Sequence, residues 1–391
     1  MKNNIAERLA ALGLRVPELL MPNENIDLSR YAVVACDQYS AEGEYWERVK
    51  ETVGDAPSAL NMILPEAWLQ NGEAHRKNIV PTMERYLSDG TLRSIGEGMV
   101  FLKRRTVSGV RRGLVVAFDL EQYDYHTGTK PLLRPTEATV EERLPARVAI
   151  RKEAPLELPH VLVLFNDPED KLMDAVEAGM SGREPLYDFE LMEHGGHLTG
   201  WQLSEETDYV NLCTELERLQ RSAVDSMLYA MGDGNHSFAA AKLHWEEIKK
   251  ALPREQWAEH PARYALCELV NLYDKGLLFE PIHRLLMNVD ADQICSELQL
   301  DPNDPPPLQE LQPKLDAWLA EHPEAELEYI HGADTCRQLA ERDNTLALIW
   351  DSFDREGLFP WVAQHGPLCR KSFSLGHAEE KRYYLEARRI M

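Results

Sequence analysis

The stretch Ser226-Met227-Leu228-Tyr229-Ala230-Met231-Gly232-Asp233-Gly234-Asn235-His236-Ser237-Phe238-Ala239-Ala240-Ala241-Lys242 decides how the chain is read. Residues 226–230 form an apolar run of the kind that makes a short buried strand, and Phe238 onward has the composition of a helix opening. Residues 231–237 therefore read as a strand-to-helix elbow. Gly232 and Gly234 let the backbone turn sharply and let a ligand approach, while the amides of a first helical turn offer hydrogen bonds and partial positive charge to a phosphate. Asp233, Asn235, His236 and Ser237 add polar side chains at that mouth. The same residues also fit a capped helix after a tight turn, since Asn, Asp and Ser are ordinary N-cap residues.

With 391 residues, 44% of them hydrophobic, the chain can bury a sizeable core. It reads as a main domain over 1–289, a helix-rich accessory lobe over 290–345 set off by the Pro-rich run 301–307, and a segment over 346–391 that returns to the main domain. The formal net charge of -24 argues against nucleic acid or a membrane surface as a partner, because such binding needs a basic face. Anions must then be held by individually placed basic residues. Six scattered cysteines without a CxxC pair read as reduced thiols of a cytoplasmic protein. No stretch is long and apolar enough to span a bilayer, and residues 1–16 read as an amphipathic helix rather than a signal peptide. A homo-oligomer stays open.

Periodicity predicts strands over 31–36, 99–107, 110–120, 160–165, 186–191, 198–203, 263–272, 278–289 and 345–350, and helices over 41–53, 73–87, 168–178 and 205–222. The fold class is α+β, with no internal repeat. Ser108-Gly109 and Asp274-Lys275-Gly276 each look like hairpin turns. The basic cluster Lys103, Arg104, Arg105, Arg111 and Arg112 reads as a solvated hairpin face.

Three further constellations join the elbow. Asp37 and Gln38 follow an apolar run, a place from which a carboxylate can be held against a small substrate. In Leu133-Arg134-Pro135-Thr136-Glu137, an arginine fork suits carboxylate or phosphate, Thr136 supplies a hydroxyl and Glu137 a metal-oriented acid. In Arg370-Lys371-Ser372-Phe373-Ser374-Leu375-Gly376-His377, followed by Lys381 and Arg382, Lys371 can screen a phosphate and His377 can approach a ligand. Plainer alternatives exist for each: a turn residue at Asp37, a salt-bridged helix surface after Arg134, ordinary ion pairs in the tail. Two phosphate-suited and two acidic elements together make up the parts list of phosphoryl transfer.

Val34-Ala35-Cys36-Asp37-Gln38-Tyr39, Glu44-Tyr45-Trp46, Asn61-Met62-Ile63-Leu64-Pro65-Glu66, Arg134-Pro135-Thr136-Glu137, Glu142-Arg143-Leu144-Pro145, Leu186-Tyr187-Asp188-Phe189, Gly195-Gly196-His197, the elbow and the 370–377 run occur in this order along nearly the whole chain. Together they resemble the long form of the domain-of-unknown-function-1015 family. The elbow also resembles the Asp-Gly-His-x-Arg turn of the ParB/sulfiredoxin-like superfamily, which includes free L-serine kinases, with Ser237 where the arginine would stand.

That resemblance implies a mixed-sheet ParB/sulfiredoxin-like core with an added C-terminal α/β lobe. It implies a nucleotide-dependent kinase acting on the hydroxyl of a small metabolite, L-serine first, with Mg2+ and ATP or ADP. Gly232, Gly234, Asn235 and Ser237 would then hold phosphate, aided by Arg134, Lys371, His377 and Arg382. Asp37, Asp233 and His236 would serve catalysis, Gln38, Thr136, Glu137 and His197 would bind substrate, and Glu137 would also face the metal. The 370–377 run is expected to fold back onto the elbow. A nucleotide-binding switch without turnover, in the manner of the superfamily's CTP-binding members, is the alternative.

Overall fold

The computed structural model describes residues 2–40, 42–68, 72–126, 128–158 and 161–391. They form two compact units, one of Met1–Pro135, Thr139–Leu277 and His377–Met391, the other of Thr136–Ala138 and Leu278–Gly376. The second unit thus begins before and ends after the 290–345 lobe expected from composition.

The first unit is built on a mixed sheet. From one edge its strands run Tyr187–Leu191, Gly196–Gln202, Val100–Thr106, Gly109–Asp119, Tyr264–Asn271, Leu162–Phe165, Tyr229–Asp233 and Leu133–Arg134, with Leu14–Arg15 also pairing Gly109–Asp119. Two pairings are parallel: Tyr264–Asn271 with Leu162–Phe165, and Tyr229–Asp233 with Leu133–Arg134. Both faces are covered, and the two-residue period of a strand decides which side chain goes where. Val100, Leu102, Val115 and Ala117 pack on one side with Tyr45, Trp46, Val49 and Tyr383. Phe101, Leu114, Val116 and Phe118 pack on the other with Leu212, Leu216, Phe238 and Trp245. The helices behind the second set include Lys2–Ala11, Lys171–Met180, Glu206–Ser222 and Asn235–Ala251.

Several sequence expectations change. The strand expected at 31–36 shortens to Val33–Val34, because the side chain of Asp27 caps a short helix, Leu28–Tyr31, that absorbs Tyr31. The expected helix at 41–53 is Gly43–Val53, and the strand at 160–165 is Leu162–Phe165; Ala41 and His160 lie outside the described residues. The strands flanking Asp274-Lys275-Gly276 do not form a hairpin. Tyr264–Asn271 pairs with Gly109–Asp119 and Leu162–Phe165 in the first unit, whereas Phe279–Met287 is the central strand of the second.

The basic cluster is corrected too. Arg104 and Arg111 are buried, facing each other across the Val100–Thr106 and Gly109–Asp119 pair. Lys103 and Arg112 pair instead with Asp170, Asp174 and Glu177 at the helix Lys171–Met180. A charge run on a strand alternates sides, so half of it turns inward.

In the second unit, Phe279–Met287 pairs antiparallel with Glu326–His331, Thr345–Leu348 and Phe373–Leu375. Leu311 and Leu315 of the helix Leu308–Glu321 pack on Leu286, Leu346 and Leu348.

Candidate functional site

The elbow lies at the end of the strand Tyr229–Asp233. Register against Leu162–Phe165 shifts between Met231 and Asp233, a bulge at Gly232 that re-aims the strand's last residue. Gly234 follows with φ 84° and ψ 23°, left-handed backbone that favours glycine, and is the N-cap of the helix Asn235–Ala251. The Asp233 carboxylate accepts from the Gly234 amide at 2.8 Å, and the amides of Ser237 and Phe238 donate to the Gly234 carbonyl at 3.0 Å. The polar residues Gly232 to Ser237 are partly exposed, whereas Phe238 to Ala241 are buried in the core. A short strand, a left-handed glycine and an apolar helix face thus hold the mouth of the turn open to solvent.

Two other segments of the first unit converge there. Lys381, buried, places Nζ 3.4 Å from Oδ2 of Asp233. Tyr383–Tyr384 pairs antiparallel with Val33–Val34, which brings the end of the early strand to the same place. Beyond Val34 come Cys36, whose thiol points at the Ala378 carbonyl 3.8 Å away, and Asp37, which opens the single turn Asp37–Tyr39. Burial pushes the Cys36 thiol up to about 12, the Lys381 ammonium pulls it back, and Asp37 and Asp233 both push it further. The four groups therefore share one electrostatic neighbourhood. The Tyr384 phenol is raised by burial and by Cys36 and Asp233, with Arg147 opposing.

Aromatic packing fixes the Asp37 turn. Tyr39 and Tyr45 stack with ring centres 3.6 Å apart, and the indole of Trp46 donates to the Tyr39 carbonyl at 2.9 Å. Gln38 is partly buried on this turn, while Asp37 is exposed.

His236 is tied to the chain ahead of the helix Leu144–Glu153: the Val140 amide donates to Nε2 at 3.2 Å. In this contact Nε2 is the acceptor. Asn235 accepts from the Tyr123 hydroxyl at 3.4 Å.

Three expected residues are engaged elsewhere in the first unit. Arg134 is buried and bridges Asp225 at 3.1 Å, at the entry of the strand Tyr229–Asp233 rather than at its elbow end. Arg382 lies in the core, with Nε 3.0 Å from Glu268 and Nη2 2.7 Å from Glu386. His197 sits on the strand Gly196–Gln202, bonded to Asp188 at 2.7 Å and Glu190 at 2.8 Å, and the Asp188 bond raises its pKa. Val100–Thr106, Gly109–Asp119, Tyr264–Asn271 and Leu162–Phe165 stand between that strand and Tyr229–Asp233 in the sheet. His377 opens a short turn, Ala378–Glu380, in a reciprocal cap with Glu380.

Thr136, Glu137 and Lys371 belong to the second unit. There Glu137 accepts from the Lys371 amide at 2.9 Å, and the buried Arg284 donates to the carbonyls of Arg370 and Lys371 at 2.9 Å. Lys371 itself has φ 54°, an uncommon value for a residue with a side chain.

Lys381 is the residue that sequence reasoning underweighted. It stands in the C-terminal basic run, where the expected ligands are its neighbours Lys371, His377 and Arg382. The signal available was its place beside Arg382 in a basic run of a strongly acidic chain.

The chain belongs to the family described as "Protein of unknown function (DUF1015)", whose profile matches residues 19–386. No curated protein matches it. Among solved structures it is similar to a free serine kinase in complex with AMP, at 11% identity over 71% of this chain and 92% of that chain, with a TM-score of 0.39. The ADP complex of a free serine kinase gives 10% identity, the same coverage of both chains and a TM-score of 0.39. A conserved hypothetical protein from Pyrococcus furiosus gives 11% identity over 69% of this chain and 93% of that chain, with a TM-score of 0.33.

Proposed function

We propose that the protein is a nucleotide-dependent phosphotransferase acting on the hydroxyl of a small metabolite, with free L-serine, giving O-phospho-L-serine, as the first acceptor to test. The observation that carries this reading is the meeting of Lys381 with Asp233 beside a left-handed glycine at the start of a 17-residue helix. A helix start favours a phosphate through its amides and dipole, and the ammonium supplies the full charge that the Ser237 position lacks. The reading treats the first unit as a ParB/sulfiredoxin-like core, the second as an appended lobe, and the cytoplasm as the place of work.

In this mechanism the phosphates of ATP or ADP lie against residues 234–237, and Lys381 turns part of its pairing from Asp233 to a phosphate oxygen. The acceptor's hydroxyl oxygen attacks the terminal phosphorus, the new O–P bond forms as the bridging P–O bond breaks, and the bridging oxygen leaves with the electron pair on the nucleotide. Asp37 or Asp233 takes the hydroxyl proton. His236, with Nε2 engaged by the Val140 amide, serves to position the turn.

Among the described residues no three His, Cys, Asp or Glu side chains are placed to hold a metal together. Mg2+ needs no such cage, since it is commonly bound by one or two carboxylates with phosphate oxygens and water. Asp37 and Asp233 are the carboxylates that fit. When bound, the ion neutralises phosphate charge.

Steady-state assays with ATP and ADP against an acceptor panel containing L-serine test the reading. Multiple turnovers support it. Nucleotide binding without turnover on any acceptor replaces it with a nucleotide-responsive switch, and no binding removes both.

A further inference from the structure

Arg104 is fully buried in the strand Val100–Thr106, yet no carboxylate of the described residues lies within ion-pair distance of it. Its guanidinium donates instead to main-chain carbonyls: Gly195 at 2.9 Å, Glu379 at 2.5 Å, Glu380 at 3.0 Å and Lys381 at 2.5 Å. Burial, with Arg111 next to it, holds its pKa down to about 9. Arg111 sits directly opposite in the sheet and donates to the same Glu380 carbonyl at 3.0 Å. Two cations side by side in a core repel, the buried Glu268 carboxylate 3.5 Å from Arg111 offsets part of that, and an apolar pair would still pack there at less cost. What the arginines supply is geometry. A planar fork that binds three successive carbonyls fixes both the position and the rotation of the backbone that carries them.

The Glu380 side chain closes the hold, accepting from the amides of Ser108 at 3.1 Å and His377 at 3.0 Å. The segment Glu379 to Lys381 is therefore pinned from below and from its own turn. From that pinned backbone the Lys381 side chain runs to Asp233 at the elbow.

We infer that Arg104 is a positioning residue for the anion site: by gripping the carbonyls of Glu379, Glu380 and Lys381 it sets where the Lys381 ammonium stands. The phosphate-binding part of this inference rests on the function proposed above, while the placement of Lys381 does not. The two are separated by reading them separately.

The first readout is acylation of Lys381 by a lysine-selective reagent, followed by peptide mass spectrometry, in the folded full-length chain. Lys381 has a side chain 8% exposed and an acidic partner, so it is protected. Arg104→Met keeps an apolar stem and removes the fork; Arg104→Lys keeps a charge and a donor, and remains informative if the methionine variant does not fold. Both are expected to speed acylation of Lys381 by about tenfold, the factor that corresponds to losing one modest contact, with Lys249, paired to Glu121, as an unchanged internal reference. Unchanged protection of Lys381 in a folded variant overturns the inference.

The second readout is ATP and ADP affinity in a double-mutant cycle with Lys381→Met. A merely structural Arg104 would weaken binding equally with and without Lys381. The positioning role predicts that Arg104→Lys weakens binding about tenfold in the native chain and causes no further loss in the Lys381→Met chain. Additive losses overturn it. If Lys381 becomes labelled while the native chain binds neither nucleotide, the positioning stands and the kinase reading falls.

Discussion

The Lys381 ammonium approaches the Asp233 carboxylate to 3.4 Å, joining the C-terminal segment to the glycine elbow. Asp233 is more than a third exposed, and an ion pair of that kind contributes about 0 to 1 kcal/mol to stability. Lys381→Met should therefore leave the thermal midpoint nearly unchanged. ATP or ADP affinity should fall by about ten- to a hundredfold, the loss of one charge-assisted contact worth roughly 1.5 to 3 kcal/mol. Calorimetry on the two chains at equal ionic strength decides it, and equal affinities would remove Lys381 from the site.

Gly234 holds φ 84° at the helix N-cap. A β-branched residue is strained there by on the order of 1 to 2 kcal/mol and puts methyl groups where a phosphate would approach. Gly234→Val should keep a cooperative melt, because the apolar face from Phe238 to Trp245 is untouched, yet lose nucleotide binding. A folded Gly234→Val chain with native affinity would rule the elbow out as the anion site.

The proton acceptor is tested by Asp37→Asn and Asp233→Asn, which keep shape and remove charge. Loss of a general base lowers turnover by roughly 10² to 10⁴. Asp233 pairs with Lys381 at 3.4 Å, so Asp233→Asn should alter both kcat and nucleotide affinity, and Asp37→Asn should lower kcat. Full turnover in both variants would end the carboxylate assignment.

His244 provides a pH test of the core. It is buried on the helix Asn235–Ala251, both ring nitrogens lack hydrogen-bond partners among the described residues, and burial, followed by Arg151, lowers its pKa to about 4. The unfolded chain binds this proton near pH 6.5, so stability is fully present above that value and is lost progressively as pH falls towards 4. The contribution is on the order of 2 kcal/mol. Urea melts from pH 7 to 4 should show that slope in the native chain and a shallower one in His244→Phe. Identical slopes would place the acid sensitivity elsewhere.

The elbow was legible because its signal is local: an apolar run, two glycines and an Ala-rich helix opening lie within seventeen residues, and they form the strand Tyr229–Asp233 and the helix Asn235–Ala251. The hairpin through Ser108-Gly109 was legible for the same reason. Strand alternation and turn chemistry act over a few residues, so a sequence displays them directly. Where local signals competed, as at residues 31–36, the cap at Asp27 won over the strand pattern.

Which charges face inward, and which cation reaches the elbow, was settled only by the tertiary structure. The charge pattern reads Arg104 and Arg111 as a solvated face, and the family resemblance implies Arg134 and Arg382 as phosphate ligands. The fold buries all four: Arg104 on the carbonyls of Glu379 to Lys381, Arg111 on the Glu380 carbonyl and beside Glu268, Arg134 on Asp225, and Arg382 between Glu268 and Glu386. A buried cation must find its compensating oxygens, and for these the partners come from segments far away along the chain, whose approach is fixed by the packing of whole strands. The sequence by itself determined that a glycine elbow joins a short strand to a helix at residues 231–237. Only the folded chain decided that Lys381 would stand beside it, because that depends on a C-terminal segment laid across strands formed hundreds of residues earlier.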